Sequence, residues 1–355
     1  MKKALYLSAI LAIALSCATE KETEQKAKFE PEDGQCYIFA GQTVPSVGGL
    51  DEFNNGYCDY FEAPAGITYY MDMGTPNDTM ASLSEYEEWN EEEHVINIHN
   101  KGEYLINKYL VDDTFDGCMF AVGLILVGGE ELVLSGKKDS ELEKLGNWLN
   151  SLNGKPVFLR VGFEFDGFEW NHYVKETYLP MYRYIVDYLR GMNVTNVAYV
   201  WQSKGWDTTV EEFEEWYPGD DYVDWCAYSH FDTPDDEMIK FARLKGKPLM
   251  IAEATPNFKV GDKFTDSDIK KPEIARKMWD EWYTNLFKLI EDNGDVIKAL
   301  AYINTDWYAQ DAWVNVPQFQ QIDSRIEMSP YVSEKWKEKI AEPRYLNLKE
   351  IKGKF

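Results

Sequence analysis

Eight short apolar runs, each leading through a polar loop into a helical pattern, restrict the fold of this chain more than any other feature. They are Cys36–Gln42, Ile67–Met73, Cys118–Leu126, Pro156–Phe165, Val197–Ser203, Val223–Phe231, Pro248–Pro256 and Ile297–Trp307. Most are nearly continuous in apolar residues. That is the pattern of strands covered on both faces, whereas a strand with one wet face alternates. The intervening stretches read as helices. After Ser140 and Glu143, which have capping-box spacing, Leu142, Leu145, Leu149 and Leu152 mark one helical face. Leu179, Tyr182, Ile185, Val186 and Leu189 mark a second, and Met278, Trp282, Leu286, Leu289 and Ile290 a third. Thr233-Pro234 reads as a cap followed by a first-turn proline. Eight strand–helix alternations predict an α/β fold, a closed (β/α)8 TIM barrel. The alternative, a doubly wound open sheet, normally carries a Gly-rich phosphate loop after its first strand, and Ala40-Gly41-Gln42-Thr43 is not one. No domain boundary interrupts residues 35–355, and Trp336 and Ile340 predict a helix in a C-terminal extension.

A barrel of this kind works at the C-terminal ends of its strands. There the runs place Gln42 on the first strand, Asp72 on the second, and Glu164 with Asp166 on the fourth. Trp201 and Gln202 end the fifth, Tyr228 and His230 the sixth, Glu253 the seventh, and Asn304, Asp306 and Trp307 the eighth. Polar groups closing apolar runs need a purpose, because burying them costs free energy. Glu164 and Glu253 stand out, since strands four and seven face each other across the mouth. Two carboxyl groups about 5–5.5 Å apart suit retaining glycoside hydrolysis, one protonating the departing oxygen while the other attacks the anomeric carbon. Arg160, four residues before Glu164, shares its strand face and either orients a carboxylate or pairs within the barrel. Asp166 and Asp207 are rival acids, with a loop-ordering role the stronger reading of Asp166. Trp170, Trp201, Trp206 and Trp313 are each either a sugar platform or a core ring.

The chain has 355 residues and is 45% hydrophobic, which excludes wholesale disorder. A net charge of −26 without basic clusters makes nucleic acid an improbable partner. Lys2 and Lys3 precede the apolar run Ala4–Leu15, which is too short to span a membrane and reads as a signal peptide over residues 1–16. Cys17, directly after small residues, resembles the bacterial lipobox, where the cysteine is lipidated. Residues 17–34, rich in Glu, Lys and Thr, read as a flexible tether. The expected location is therefore the cell surface or periplasm, with the chain lipid-anchored to the outer membrane and otherwise monomeric. Export permits disulfides, and Cys36–Cys58 is a candidate bridge, while Cys118 and Cys226 lie in apolar runs and read as buried thiols. His94, His99, His172 and His230 are scattered, so no metal is expected, and no cofactor is required.

The stretch Leu159-Arg160-Val161-Gly162-Phe163-Glu164-Phe165-Asp166-Gly167, followed by Trp170-Asn171, resembles the acid/base strand of glycoside hydrolase family 26, a member of clan A. Residues 216–224, the strand Lys247–Glu253, and Ile297–Leu300 with Asn304 and Trp307 are similar to later parts of that family. The likeness covers residues 156–307 well and the first three strands loosely. It implies a retaining, endo-acting hydrolase of a β-mannan-like or related extracellular polysaccharide, with Glu164 as acid/base and Glu253 as nucleophile. Tyr228, or His230, would hydrogen-bond the nucleophile, and Trp307 would stack beneath the sugar. One position departs: where the family has His and most of the clan Asn, this chain has Phe163, which cannot bond a sugar 2-hydroxyl. A sugar substituted at C2, a deoxy sugar, or a contact supplied by Gln202 or His230 would accommodate the change. The resemblance to clan A, whose barrels include enzymes for sulfated fucans and galactans, keeps such a glycan open as substrate. A non-catalytic surface glycan-binding protein also stays open.

Overall fold

The computed structural model describes residues 26–51, 53–73, 109–110, 112–257, 267–307 and 322–355. Eight strands run parallel: β1 Cys36–Gly41, β2 Gly66–Asp72, β3 Met119–Ile125, β4 Val157–Val161, β5 Val197–Ser203, β6 Trp225–His230, β7 Leu249–Ala254 and β8 Ile297–Ile303. Each pairs with the next, and β8 pairs back onto β1 from Tyr37↔Ala299 to Gly41↔Ile303, closing the (β/α)8 barrel that the apolar runs predict. A further short strand, Tyr345–Leu346, lies beside the start of β1. No cysteine is bridged among the described residues, so the Cys36–Cys58 disulfide does not form.

The helices bury the faces read from the sequence. Helix Asp139–Ser151 covers Leu142, Leu145 and Leu149, and helix Lys175–Gly191 covers Tyr182, Ile185, Val186 and Leu189. Two starts differ from expectation. The first helix begins at Asp139 without a side-chain cap, and Ser140 donates instead to Glu141. The helix after β6 begins at Asp236, two residues beyond Pro234, because Asp235 accepts the Met238 amide as its cap. In the C-terminal helix Pro330–Ile340, Trp336 is fully buried against Phe287 and Tyr302.

Contacts between non-neighbouring strands fix which residues point inward. Phe39 on β1, Phe158 on β4 and Trp225 on β6 meet ring to ring at 5.5 and 5.0 Å, which is feasible only inside the barrel. Phe29 adds a fourth ring 5.9 Å from Phe158, and Trp225 Nε1 donates to the Lys28 carbonyl, so the segment before β1 plugs the floor. Because side chains alternate along a strand, the next inward residues are Arg160 above Phe158, and Ala227 then Ser229 above Trp225. The floor is aromatic, and the polar layer sits at the mouth.

Candidate active site

Arg160 is the hub of that layer. Fully buried, it reaches across the barrel: Nη1 donates to Glu253 Oε1 at 2.7 Å and to Gln202 Oε1 at 3.0 Å, and Nη2 to Thr68 Oγ1 at 3.2 Å. Its guanidinium packs on Tyr70 at 4.9 Å and Phe163 at 5.2 Å. A buried cation needs this density of partners, since an unpaired one would be severely penalised. Of the two roles the sequence leaves open for Arg160, the geometry selects the holding of a carboxylate.

Glu253 reaches Arg160 through a defect in β7. Ala227 pairs with Met250 and Tyr228 with Ile251, but Ser229 pairs with Glu253, so one extra residue is inserted in β7. Strict alternation from the inward Met250 would have turned Glu253 outward; the bulge re-aims it into the mouth. Its Oε2 has no hydrogen-bond partner among the described residues.

Glu164 lies in the loop after β4, three residues beyond Val161. Gly162 and Glu164 both take left-handed backbone, φ 55° and 51°. For glutamate this conformation costs on the order of 1–2 kcal/mol. Asn171 holds the turn by donating to the carbonyls of Phe163 at 3.0 Å and Glu164 at 2.9 Å. The Glu164 carboxyl accepts from Ser229 Oγ at 2.6 Å and from Trp170 Nε1 at 2.8 Å. Burial pushes its pKa up, and the adjacent Glu253 charge adds to the shift, to about 8. At neutral pH Glu164 thus carries a proton, while Glu253 accepts from a guanidinium, the partner an anion takes.

Aromatic side chains frame the pair. Trp170, 40% exposed, lies 5.8 Å from Trp206, which packs on a small cluster of Phe231, Ile303, Trp307 and Ile322. Trp307 is nearly buried there, with Nε1 donating to Ser324 Oγ.

Other predicted site residues fall elsewhere. Tyr228 faces away from the barrel axis, opposite in parity to Ser229, and its hydroxyl lies 3.3 Å from His230 Nδ1 rather than on Glu253. His230 shares that outer side, 5.6 Å from Trp282, and burial pushes its pKa down to about 3. Beside it opens a cavity of about 340 Å³ whose lining includes Thr233 and Asn285 but neither glutamate. Trp201 is also outward and fully buried, stacked at 4.4 Å on Phe165, so it offers no sugar-facing surface. Asn304 spends its amide on Ser46 and Glu327 and accepts from the Ile326 amide, tying loops together. Asp166 accepts from Ser203, the Lys204 amide and Thr208, each at 2.7 Å, which is the loop-ordering role. Asp306 pairs with Arg325, and Gln42 is 2% exposed at the end of β1. The Asp72 side chain, Cys17 and Trp313 lie outside the described residues.

Sequence reading missed Ser229, Thr68 and Tyr70. The signal for Ser229 was its parity with Trp225 in Trp225-Cys226-Ala227-Tyr228-Ser229, legible only once one residue of β6 is known to point inward.

Residues 135–295, which include both glutamates, match the model of Glycosyl hydrolase family 26. The chain carries a glycoside hydrolase domain. A beta-1,3-xylanase of Alcaligenes sp is 28% identical to the hydrolase over 331 residues, covering 86% of this chain and 66% of that relative. The beta-1,3-xylanase TXYA of Vibrio sp is 27% identical over 339 residues, covering 88% of this chain and 69% of its own length. The chain thus spans about two thirds of these relatives. A solved GH26 beta-mannanase from Bacteroides ovatus superposes with a TM-score of 0.55 at 16% identity, covering 89% of this chain and 91% of that one, a likeness of fold.

Proposed function

We propose that this hydrolase cleaves an extracellular β-1,3-xylan internally and with retention, Glu164 acting as acid/base and Glu253 as nucleophile. The observation that carries the reading is the opposite setting of the two acids, one buried and proton-bearing, the other on a guanidinium. In the first half-reaction Glu164 gives its proton to the glycosidic oxygen as the C1–O bond breaks and its electron pair goes to that oxygen. Glu253 Oε2, free of hydrogen bonds among the described residues, attacks C1 to form an ester. In the second half Glu164 takes a proton from water, the water oxygen attacks C1, and the ester C–O bond returns its pair to Glu253. Arg160 holds Oε1 at 2.7 Å before attack, with a longer contact from Gln202 Nε2 at 3.4 Å, fixing the carboxylate plane.

The choice of xylan is supported by the two xylanase relatives. Phe163, packed on Arg160 and Tyr70, does not choose between xylose and mannose, since both carry a 2-hydroxyl. β-Mannan is the second reading, favoured by the mannanase-like fold. Incubation with β-1,3-xylan, β-1,4-xylan, β-mannan and sulfated fucan, with product anomers followed by NMR, tests substrate and stereochemistry together. We expect β-anomers from β-1,3-xylan first; α-anomers would refute retention. Glu253→Gln should abolish turnover, and a variant that kept the full biological effect would instead indicate a glycan-binding protein. The signal-like residues 1–16 and Cys17 support surface anchoring through a lipid. Loss of labelled-lipid incorporation in Cys17→Ala tests it.

A further inference from the structure

Ser229 and Gln202 join the two acids to each other. Ser229 Oγ donates to Glu164 Oε1 at 2.6 Å and accepts from Gln202 Nε2 at 3.0 Å. The same Nε2 makes a longer contact, 3.4 Å, with Glu253 Oε1. Gln202 Oε1 accepts from Arg160, which can only donate, so the amide nitrogen must face Ser229 and Glu253. Gln202 is 0% and Ser229 1% exposed, so water does not substitute for either link.

We infer that Gln202 and Ser229 are positioning residues that form a hydrogen-bond relay, transmitting the charge of Glu253 to Glu164 in each half of the cycle. The inference rests on the retaining reading. Before attack, Glu253 is an anion accepting from one of the two Gln202 N–H groups; that bond weakens the other N–H as a donor to Ser229, so Ser229 is weakly polarised and Glu164 keeps its proton. Once Glu253 becomes an ester its oxygen is a poorer acceptor, and the other amide N–H donates more strongly to Ser229. The serine hydroxyl then becomes a stronger donor, at the moment when Glu164 has lost its proton and carries charge. When the ester is cleaved, the relay reverses. The other charged or titratable groups around Glu164 are Arg160 on β4, Asp166 in the following loop and Tyr70 on β2. Arg160 and Asp166 keep their bonded partners throughout, and burial holds the Tyr70 phenol well above its usual range, hence neutral. Glu253 is therefore the neighbour, among the described residues, whose charge alternates.

Through-space repulsion between the glutamates predicts the same direction of change, so the test must separate wire from field. The Glu164 carboxyl is titrated by carbon-13 NMR in the free enzyme and in the glycosyl-enzyme. The latter is trapped with the 2-deoxy-2-fluoro glycosyl fluoride of whichever glycan, xylan or mannan, the enzyme cleaves. Wild type should show a lower pKa in the ester. Ser229→Ala and Gln202→Met each cut the relay at a different link, and each should shrink the difference by about one pH unit, a tenfold change in proton affinity. Ser229→Thr, which keeps the hydroxyl, should preserve it. A difference unchanged in both relay-cutting variants overturns the relay and leaves hydrolysis standing. Absence of a trapped ester in wild type, read by intact mass, overturns the retaining mechanism itself and the relay with it.

Discussion

Replacing Arg160 with Met removes the charge at the centre of the mouth while keeping most of its volume against Tyr70 and Phe163. The structure sets the magnitude. Arg160 is wholly buried, and its loss leaves Glu253, 7% exposed, without its 2.7 Å ion-pair partner. Removing one partner of a buried pair costs about 3–5 kcal/mol, because the remaining charge is desolvated and uncompensated. The released Gln202 and Thr68 contacts belong to the same network and are not additional. We therefore expect urea unfolding at pH 7 to show Arg160→Met about 3 kcal/mol less stable than wild type. Adding Glu253→Gln should recover more than half of that loss, since the double variant buries no unpaired charge. The single Glu253→Gln variant should also be destabilised, leaving the guanidinium without its counter-charge. A double-mutant coupling below about 0.5 kcal/mol would refute the reasoning, by showing that the two groups do not depend on each other.

Glu164 makes stability depend on pH. Its folded pKa, about 8, lies above the ordinary glutamate value, so the native state binds more protons than the unfolded state between these limits. Relative stability is fully present below about pH 4 and is lost as pH rises through 8; Glu164→Gln should flatten that slope and be more stable than wild type by about 2–4 kcal/mol at pH 9 in urea unfolding. In wild type, kcat/KM should fall on the alkaline side with an apparent pKa near 8, and a profile still flat at pH 10 would remove Glu164 as the acid. Tyr228→Phe should change kcat less than about threefold, because the ring faces His230 outside the barrel; a hundredfold loss in steady-state assays would reverse the assigned parity of β6. Phe158→Ala should cost about 3–5 kcal/mol in thermal or urea unfolding, since its ring joins Phe29, Phe39 and Trp225 in the floor.

The eight apolar runs were enough to predict the barrel, because strands buried on both faces must be apolar almost throughout and helices must show their own period. The two glutamates were legible for a related reason: an acid that closes such a run is costly unless it has work to do. Arg160 was legible as a charge inside an apolar strand, though not what it holds. Tyr228 was placed wrongly, and Trp201, left open between sugar platform and core, proved core, because runs apolar on both faces hide which residues look inward, and a shift of one residue exchanges the faces. Asn304 was misread for another reason. Its partners, Ser46 and Glu327, lie 258 and 23 residues away, so nothing local marks it as a clasp between loops.

The sequence by itself determined the architecture and marked Glu164 and Glu253 as acids closing apolar runs, since these follow from burial and chain periodicity. Tertiary structure alone decided where the acids point. Glu253 turns inward through an extra residue in β7, and Glu164 through left-handed backbone that Asn171 holds. Both are departures from alternation stabilised by contacts with other strands and loops, and no local rule of side-chain parity contains them.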